Sequence, residues 1–281
     1  MISIITCTKN NSLFENLSTN IESTIDCQHE IIKIDNSAGY LSISEAYNKG
    51  LEKAQYEIIV LVHEDILFHT PSWGKILIDK FKFIPEIGCL GIAGALLKTK
   101  SPSAWWDAGT NNLIMNLIQH DGKRKSLICE GWVEEDLLKE VAVVDGVLMV
   151  LKRSTGFRFD TGIPGFHCYD LNLSIQLRLN GYKVFVTKEI LIEHYSLGSI
   201  NKSWVNSTSI LHKKYNDYLP ISVVSDLYKF KNLEFLNLYK FIRHAIKYKL
   251  YLIAIYYWFR LFKDKPLAFG THYSIFKSLF K

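Results

Sequence analysis

The chain has 281 residues, of which 48% are hydrophobic and 13% aromatic, and its net charge is +5. This length and composition suffice for one large α/β domain or for a domain with an appendage, and they exclude a disordered or fibrous protein. No segment has the ~18 or more uncharged apolar residues that a membrane-spanning helix requires. The five cysteines are widely separated and form no CxxC pair, so neither a disulfide framework nor a thiolate zinc site is predicted.

The first part of the chain alternates between predicted strands and predicted helices. Apolar strands at 2–6, 30–34 and 58–62 are separated by helical patterns at 13–25 and 42–54. This alternation is typical of a parallel sheet with right-handed crossovers. The opening sequence, MISIITCTKN, favours a buried strand over a signal peptide, so a cytoplasmic protein is expected.

The later elements are spaced less regularly, and the segment 98–140 has no clear pattern. They are a helix at 73–83, strands at 87–95 and 141–151, a helix at 169–179, and strands at 184–186 and 190–192. We expect residues 1–219 to form one α/β domain with a mostly parallel central sheet and flanking helices. Residues 220–281 are expected to form a separate helical region.

Polar side chains end the third predicted strand, where the run 58–62 stops at His63, Glu64 and Asp65. An unbroken β-branched run is typical of a strand buried on both faces, and open α/β folds bind ligands at the carboxyl ends of such strands. Two acids and an imidazole there could hold a hard divalent cation, or they could simply begin a solvated loop. A phosphate-binding GxxxxGK[ST] loop is absent, and the cluster Gly88, Gly91 and Gly94 lies inside a predicted strand, which argues against a dehydrogenase.

Several short motifs follow one another along the chain: IDNS, an A-x-N-x-G helix, HED, VVDGVLMV, GFHCYDLNLSIQLRLNGYKVFV and IEHYSLGS. In this order they resemble the GT-A glycosyltransferases, specifically family 2 and its branch of bacterial capsule-type enzymes. The resemblance covers residues 2 to about 199. It implies a GT-A fold and an inverting, metal-dependent transfer of a sugar from a nucleotide diphosphate, most often UDP, to a hydroxyl of a glycan or lipid-linked acceptor.

The resemblance also implies which residues bind the donor. In HED, His63 replaces the family's first Asp, which leaves Asp65 as the expected metal ligand and Glu64 near the donor ribose or sugar. Asp35 is expected to hydrogen-bond the uracil, although an Asx turn is an equally simple role for it. The residues expected at the donor are Thr6, Cys7, Thr8, Asp35, Asn36, Asn48, Glu64 and Asp65.

The second half of the chain is expected to supply the base, a second metal ligand and the acceptor site. Asp170 matches the family's catalytic base, with Tyr169 in place of the usual preceding Glu, and its alternative role is to cap the following helix. His194 is expected to join Asp65 in holding Mn²⁺ or Mg²⁺. The residues expected at the acceptor are Asp145, Trp106 and His167.

The basic charge is concentrated in the C-terminal region. Residues 221–281 contain eleven Lys or Arg against three acidic residues, so they carry +8 and the preceding residues −3. The aromatic run 250–259 with its basic flanks could lie in an anionic membrane interface, or it could pack onto the main domain. Since no nucleic-acid-binding motif accompanies this charge, no nucleic-acid partner is predicted.

Two other functions remain open at the level of sequence. A sugar nucleotidyltransferase would share the fold, but the loop at residues 8–12 lacks the glycine-rich basic sequence expected of one. A non-catalytic sugar- or nucleotide-binding module is the second alternative, because His63 and Tyr169 depart from the family pattern.

Overall fold

The computed structural model describes residues 1–133, 135–224 and 230–279. The helices are α1 (Asn11–Thr24), α2 (Ile43–Lys53), α3 (Trp73–Phe83), α4 (Tyr169–Leu179), α5 (Lys202–Lys214), α6 (Lys231–Lys247), α7 (Tyr251–Asp264) and α8 (Phe269–Leu279). The strands are β1 (Ile2–Thr8), β2 (His29–Asp35), β3 (Ile58–Val62), β4 (Ile66–Phe68), β5 (Ile87–Gly91), β6 (Ala93–Ala95), β7 (Leu97–Lys98), β8 (Leu113–His120), β9 (Lys125–Glu130), β10 (Leu138–Glu140), β11 (Val143–Val144), β12 (Leu148–Lys152), β13 (Lys183–Thr187), β14 (Ile192–His194) and β15 (Ile221–Ser222).

Within these residues, the larger sheet has seven strands in the order β10-β13-β5-β12-β3-β1-β2. Strand β1 pairs in parallel with β2 and β3, and β13 pairs in parallel with β5. Among the described strands of this sheet, only β10 and β12 run antiparallel to every neighbour. The predicted α/β fold with a mostly parallel central sheet and flanking helices is therefore confirmed.

The run that ends at His63 is an inner strand of this sheet. All of β3 is buried between β1 and β12. Its residues alternate between the core that includes α1 and α3 and the core that includes α2. Because both faces of the strand meet apolar side chains, no position in the run is polar. A Cβ atom at Gly50 would lie 2.2 Å from Cγ2 of Ile5, so a glycine there lets α2 pack closely on β1.

Two runs predicted as single strands are each divided between two sheets. The first run forms β5 in the larger sheet and β6 in the second, and the other forms β11 in the second sheet and β12 in the larger. The prediction of one continuous strand is wrong in both places, because a run that is buried throughout has the same apolar pattern whether or not it changes sheets. The break between β11 and β12 contains Asp145 and Gly146.

The second sheet carries His194, one of the metal ligands predicted from the sequence. Its described strands follow the order β11-β6-β8-β14-β4, with β9 paired to β8. The hairpin β8–β9 lies in the segment for which the sequence pattern gave no prediction. Strand β14 pairs with both β4 and β8, and it carries His194 at its end.

The predicted helical C-terminal region is present. Strand β15 pairs with β7, and helices α6, α7 and α8 follow. These helices share a buried cluster with Trp204 and Val205 of α5. The predicted domain boundary after residue 219 stays a prediction. Among the described residues, no helix combines the length and apolar character needed to cross a bilayer.

Candidate functional site

His63, Asp65 and His194 meet at the carboxyl end of β3. One ligand atom from each of them lies within 4.8 Å of the others. The Nε2 atom of His194 is 3.7 Å from Oδ1 of Asp65, and Nδ1 of His63 is 3.9 Å from the same oxygen. The sequence predicted Asp65 and His194 as ligands, and the structure brings His63 into the group with them.

The chemistry of this group fits a divalent cation. Burial lowers the pKa of His63, and burial together with the nearby His63 lowers the pKa of His194. Both imidazoles are therefore neutral near pH 7, which leaves each ring with a lone pair for a metal. Two imidazole nitrogens and a carboxylate oxygen suit Mn²⁺ better than Mg²⁺, because Mg²⁺ strongly prefers oxygen ligands.

Gln119 fixes the ring of His194. The side-chain amide of Gln119 donates to the backbone oxygens of His120 and Ser196, at 2.8 Å in both cases. Its Oε1 atom therefore accepts from Nδ1 of His194, at 3.0 Å. In this tautomer Nε2 carries no proton and faces Asp65, as a metal ligand requires.

His63 and Tyr169, the two residues that depart from the family pattern, contact each other. Nε2 of His63 is 2.6 Å from the Tyr169 hydroxyl. Burial raises the pKa of Tyr169 well above its usual value, so this hydroxyl stays protonated. A cation on Nδ1 of His63 would require Nε2–H to donate to the tyrosine oxygen. A Cβ atom at Gly146 would lie 2.2 Å from that oxygen, so the glycine makes room for Tyr169.

A cleft of about 330 Å³ opens beside the three candidate ligands. Cys7, Lys9 and Tyr47 line it together with Glu64 and Asp65. Nζ of Lys9 lies 3.9 Å from the centroid of the Phe166 ring, which places a positive charge at the cleft. This arrangement of a cation, neutral imidazoles and an aromatic wall is suited to an anionic ligand with a planar group.

Glu64 binds the loop that follows β1. Its carboxylate accepts from the backbone N–H groups of Lys9, at 3.1 Å, and Asn10, at 3.0 Å. The interaction fixes the loop that forms one wall of the cleft. A direct contact of Glu64 with the donor stays a prediction.

The other residues predicted at the donor lie around the first two strands. Asp35 is exposed and accepts from the Ser37 N–H at 2.9 Å, which is an Asx turn. The side-chain amide of Asn36 bonds both backbone groups of Leu41.

Asn48, Thr6 and Thr8 do not line the cleft. The side-chain amide of Asn48 bonds both backbone groups of Phe159, at 2.9 and 2.8 Å. The hydroxyls of Thr6 and Thr8 are buried without a hydrogen-bond partner in the described part of the chain. Their roles in donor binding stay predictions.

A second cavity, of about 120 Å³, contains all three residues predicted at the acceptor and the predicted base. Asp145, Trp106, His167 and Asp170 line it. Trp106 is 38% exposed and stands edge-on to Trp105. The buried indole N–H of Trp105 belongs to the same wall, and its interaction with the Asp145 carboxylate lowers the pKa of that group against the effect of burial.

The two carboxylates of this cavity, Asp145 and Asp170, both have a raised pKa. Burial and the charge of Asp145 together raise the pKa of Asp170 to about 7, against the opposing effects of the Leu171 N–H and Lys98. Burial also raises the pKa of Asp145. Helix α4 begins at Tyr169 with Cys168 at its N-cap and no side-chain cap, so Asp170 does not take the alternative helix-capping role, and its carboxylate accepts from the backbone N–H of Leu171 at 2.8 Å. A carboxylate that titrates near neutral pH can accept a proton from a hydroxyl.

Sequence reasoning missed four residues that shape the site. Lys9, Gln119, Phe166 and Tyr169 received no role, although each contacts the cleft or a candidate ligand. Gln119 lies on β8, outside every motif of the resemblance, and only the pairing of β8 with β14 brings it to His194. For Lys9, the signal was its position directly after the first strand.

Comparisons with known proteins identify the fold and the family. The model of a glycosyltransferase-like family matches residues 3–222. A crystal structure of GalNAc-T7 with UDP, GalNAc and Mn²⁺ superposes with a TM-score of 0.53 and 13% identity, over 83% of this chain and 54% of that one. This chain therefore spans about half the length of that structure.

A structure of A197 from STIV matches with a TM-score of 0.41 and 12% identity, over 70% of this chain and 86% of that one. A search of curated proteins found no match. The likeness to GalNAc-T7 shows the GT-A fold. Because the family model spans more than half of the chain, the protein belongs to the glycosyltransferase-like family, as the motif resemblance predicted.

Proposed function

We propose that this protein transfers a sugar from a nucleotide diphosphate donor, UDP-linked, to a hydroxyl of a bacterial surface glycan or a lipid-linked acceptor at the cytoplasmic face of the membrane. The main observation that supports the proposal is that the two cavities share part of their walls. The cleft with the candidate metal ligands and the cavity with Asp170 share His63, Phe166 and Tyr169 in their walls. A donor and an acceptor bound in the two cavities would therefore meet at these residues. The UDP and Mn²⁺ bound to GalNAc-T7 support the choice of donor and ion.

His63, Asp65 and His194 would hold Mn²⁺ or Mg²⁺, which supplies positive charge for the leaving diphosphate when it is bound. Lys9 adds a second positive charge at the cleft. Cys7 and Tyr47 form the apolar part of the same wall, against which the uracil and ribose would pack.

Asp170 would act as the base. Its carboxylate takes the proton of the acceptor hydroxyl while that oxygen attacks the anomeric carbon and the bond to UDP breaks. A single displacement inverts the anomeric configuration. Trp106 would stack on the acceptor sugar, and Asp145 and His167 would bind its hydroxyls.

The substitution Asp170→Asn tests the proposal, because the amide keeps the shape of the carboxylate but cannot take a proton. We expect transfer, measured as UDP release from a panel of UDP-sugars, to fall by about 10²–10⁴-fold. UDP binding should remain nearly unchanged, since Asp170 lies outside the donor cleft. Asp121→Asn, in the turn of the β8–β9 hairpin, is the matched control. Full transfer by Asp170→Asn would contradict the proposal, and UDP binding indifferent to Mn²⁺ with no transfer by the native protein would indicate a binding module instead.

A further inference from the structure

Helices α7 and α8 have one face packed in the protein and an opposite face that is apolar and exposed. On the packed side, Ala254, Tyr257 and Leu261 of α7 and Ile275 of α8 are buried in the cluster shared with α5 and α6. The sequence left open whether this region packs onto the main domain or lies in a membrane interface. Packing involves the inner face of the two helices, so a membrane interface would involve the opposite face. The opposite face of the two helices lies outside this buried cluster.

The outer face carries large side chains at regular helical spacing. On α7, Leu252 is 86% exposed and Phe259 69%, and Tyr256 lies between them. On α8, Phe269 is 72% exposed and Tyr273 66%. We call this surface the outer apolar face, and its members are Leu252, Tyr256, Phe259, Phe262, Leu267, Phe269, Tyr273 and Phe276. So many exposed large apolar side chains on two neighbouring helices mark an interaction surface.

Side-chain contacts between α7 and α8 join their exposed apolar residues into one surface. The indole N–H of Trp258 donates to Nδ1 of His272 at 3.1 Å, and the rings of Phe262 and His272 lie 5.0 Å apart. Trp258 also packs near Phe276, with ring centroids 6.5 Å apart. These contacts bring the exposed stripe of α7 beside that of α8, with Phe262 and Phe276 at the seam.

The positive charge around the outer apolar face favours an anionic partner. Residues 249–279 contain five Lys or Arg and a single acid, Asp264, a net charge of +4. Lys263, Lys265 and Lys277 are exposed on or beside the two helices. A two-fold contact with a second copy would bring these like charges together. An anionic lipid headgroup layer instead offers negative charge beside an apolar interior.

We infer that the outer apolar face docks on the surface of an anionic lipid bilayer, with α7 and α8 lying in the plane of the interface. Helix α7 has 14 residues and a length of about 21 Å, too short for the ~30 Å apolar core of a bilayer. The aromatic side chains enter the boundary between headgroups and acyl chains, and the lysines contact the headgroups.

Helix α6, which packs against α7 and α8, contacts loops of the second cavity. The side-chain amide of Asn237 on α6 donates to the Asp107 oxygen at 3.0 Å, and Nζ of Lys240 is 3.6 Å from the Asp107 carboxylate. The Tyr248 hydroxyl donates to the backbone oxygen of Ile200. Asp107 and Ile200 directly follow Trp106 and Ser199 of the cavity wall. Docking would thus anchor the loops beside this cavity at the membrane, which suits the lipid-linked acceptor of the proposed function.

Vesicle flotation of the full-length chain tests the inference without nucleotide or metal, so its result is independent of the proposed function. The probes are phosphatidylcholine vesicles with and without phosphatidylglycerol. We expect the native chain to bind the anionic vesicles at least tenfold more tightly than the neutral ones. The variant Leu252→Ser/Phe259→Ser/Phe269→Ser should lose at least tenfold of that binding, and so should the charge variant Lys263→Glu/Lys265→Glu/Lys277→Glu.

The matched control is Phe83→Ser/Leu127→Ser, which removes two large apolar side chains that are 70% and 64% exposed elsewhere on the surface. This control should bind vesicles as the native chain does. Thermal unfolding confirms that each variant is folded. The inference is overturned if the native chain floats with neither type of vesicle, or if the folded triple-serine variant binds as well as the native chain. It is also overturned if the native chain forms dimers that the triple-serine variant loses while vesicle binding is absent.

Discussion

The contact between His63 and Tyr169 joins the two residues that depart from the family pattern. An aspartate and a glutamate are the usual residues at these positions, and here an imidazole and a phenol form a 2.6 Å hydrogen bond instead. The His63–Tyr169 pair is neutral, whereas an aspartate and a glutamate at these positions would be negatively charged. The imidazole remains able to bind a cation, because the tyrosine occupies only Nε2 and leaves Nδ1 toward Asp65.

Tyr169→Phe should weaken metal binding without unfolding the protein. The substitution keeps the ring in its buried position and removes the hydroxyl that orients His63, an effect typically worth about 10–100-fold in metal affinity. Titration with Mn²⁺, followed by electron paramagnetic resonance, measures this loss. Tyr47→Phe is the matched control, since Tyr47 is buried in the same aromatic cluster, with its ring centroid 5.8 Å from that of Tyr169. Equal Mn²⁺ affinity in Tyr169→Phe and the native protein would refute the positioning role.

The carboxylate pair predicts the pH dependence of transfer. Because burial and Asp145 raise the pKa of Asp170 to about 7, the base form accumulates as the pH rises through about 7. The value of kcat/KM should therefore increase with pH across this range. Asp145→Asn removes a neighbouring negative charge, so it should lower the pKa of Asp170 and move the acid limb of the profile down by about one pH unit. If the acid limb of the pH profile does not move in Asp145→Asn, the two carboxylates do not interact.

At the level of residues, the sequence predicted site residues where a motif marked them and gave no role to those that depend on tertiary contacts. Asp65 lines the cleft, Asp145 and Asp170 line the second cavity, and His194 lies 3.7 Å from Asp65. His63 was left out of the ligand set because the family comparison treats it as a lost carboxylate. Its role depends on a partner that follows 106 residues later in the chain.

At the scale of elements, strand β14 links the site to a buried ionic cluster. His194 and Glu193 are neighbours on β14, so their side chains point to opposite faces. Glu193 is buried and accepts from His69, His120 and Lys125, at 2.7, 2.6 and 2.9 Å. Burial alone would raise the pKa of Glu193, but these hydrogen bonds outweigh it and lower the pKa to about 2.

Glu193→Gln should destabilise the protein in a pH-dependent manner. A lowered pKa stabilises the fold above the unfolded value of about 4.3, and this contribution is lost as the pH falls from about 5 toward 2. Urea unfolding at pH 7 should show a loss of about 2 kcal/mol, typical of hydrogen bonds to a charged group. The difference from the native protein should shrink at pH 3, and a difference of equal size at both values would contradict the account. Glu22→Gln, whose side chain is 63% exposed, serves as the control.

Elements were predicted well wherever local sequence determines them. Helices at 73–83 and 169–179 have the predicted bounds, since their apolar spacing and ends are local features. The division of two apolar runs between the sheets depends on long-range packing. A Cβ atom at Gly94 would lie 2.4 Å from the Val143 backbone oxygen, so the glycine allows β6 and β11, one from each run, to pair closely.

At the scale of the whole molecule, the chain combines a GT-A domain with a basic helical region. The order of strands and motifs along the chain was enough to predict the GT-A fold, because parallel βαβ units bring the carboxyl ends of their strands to one edge. The family model ends at residue 222, so the C-terminal helices had no comparable guide. Only their packing on α5 shows which face is buried and which is exposed.

The central claim is that the cleft binds a nucleotide sugar through a cation held by His63, Asp65 and His194. Thermal unfolding of the native protein and of Asp65→Ala, with a panel of nucleotide sugars in Mn²⁺ or in EDTA, tests it most directly. At about 100 times Kd, a ligand of the native state adds about 2.7 kcal/mol, which corresponds to a rise in Tm of about 5 °C. We predict this rise for a UDP-sugar with the native protein in Mn²⁺, and its loss in EDTA and in Asp65→Ala. Equal rises in all of these conditions, or no rise with any nucleotide sugar, would contradict the account.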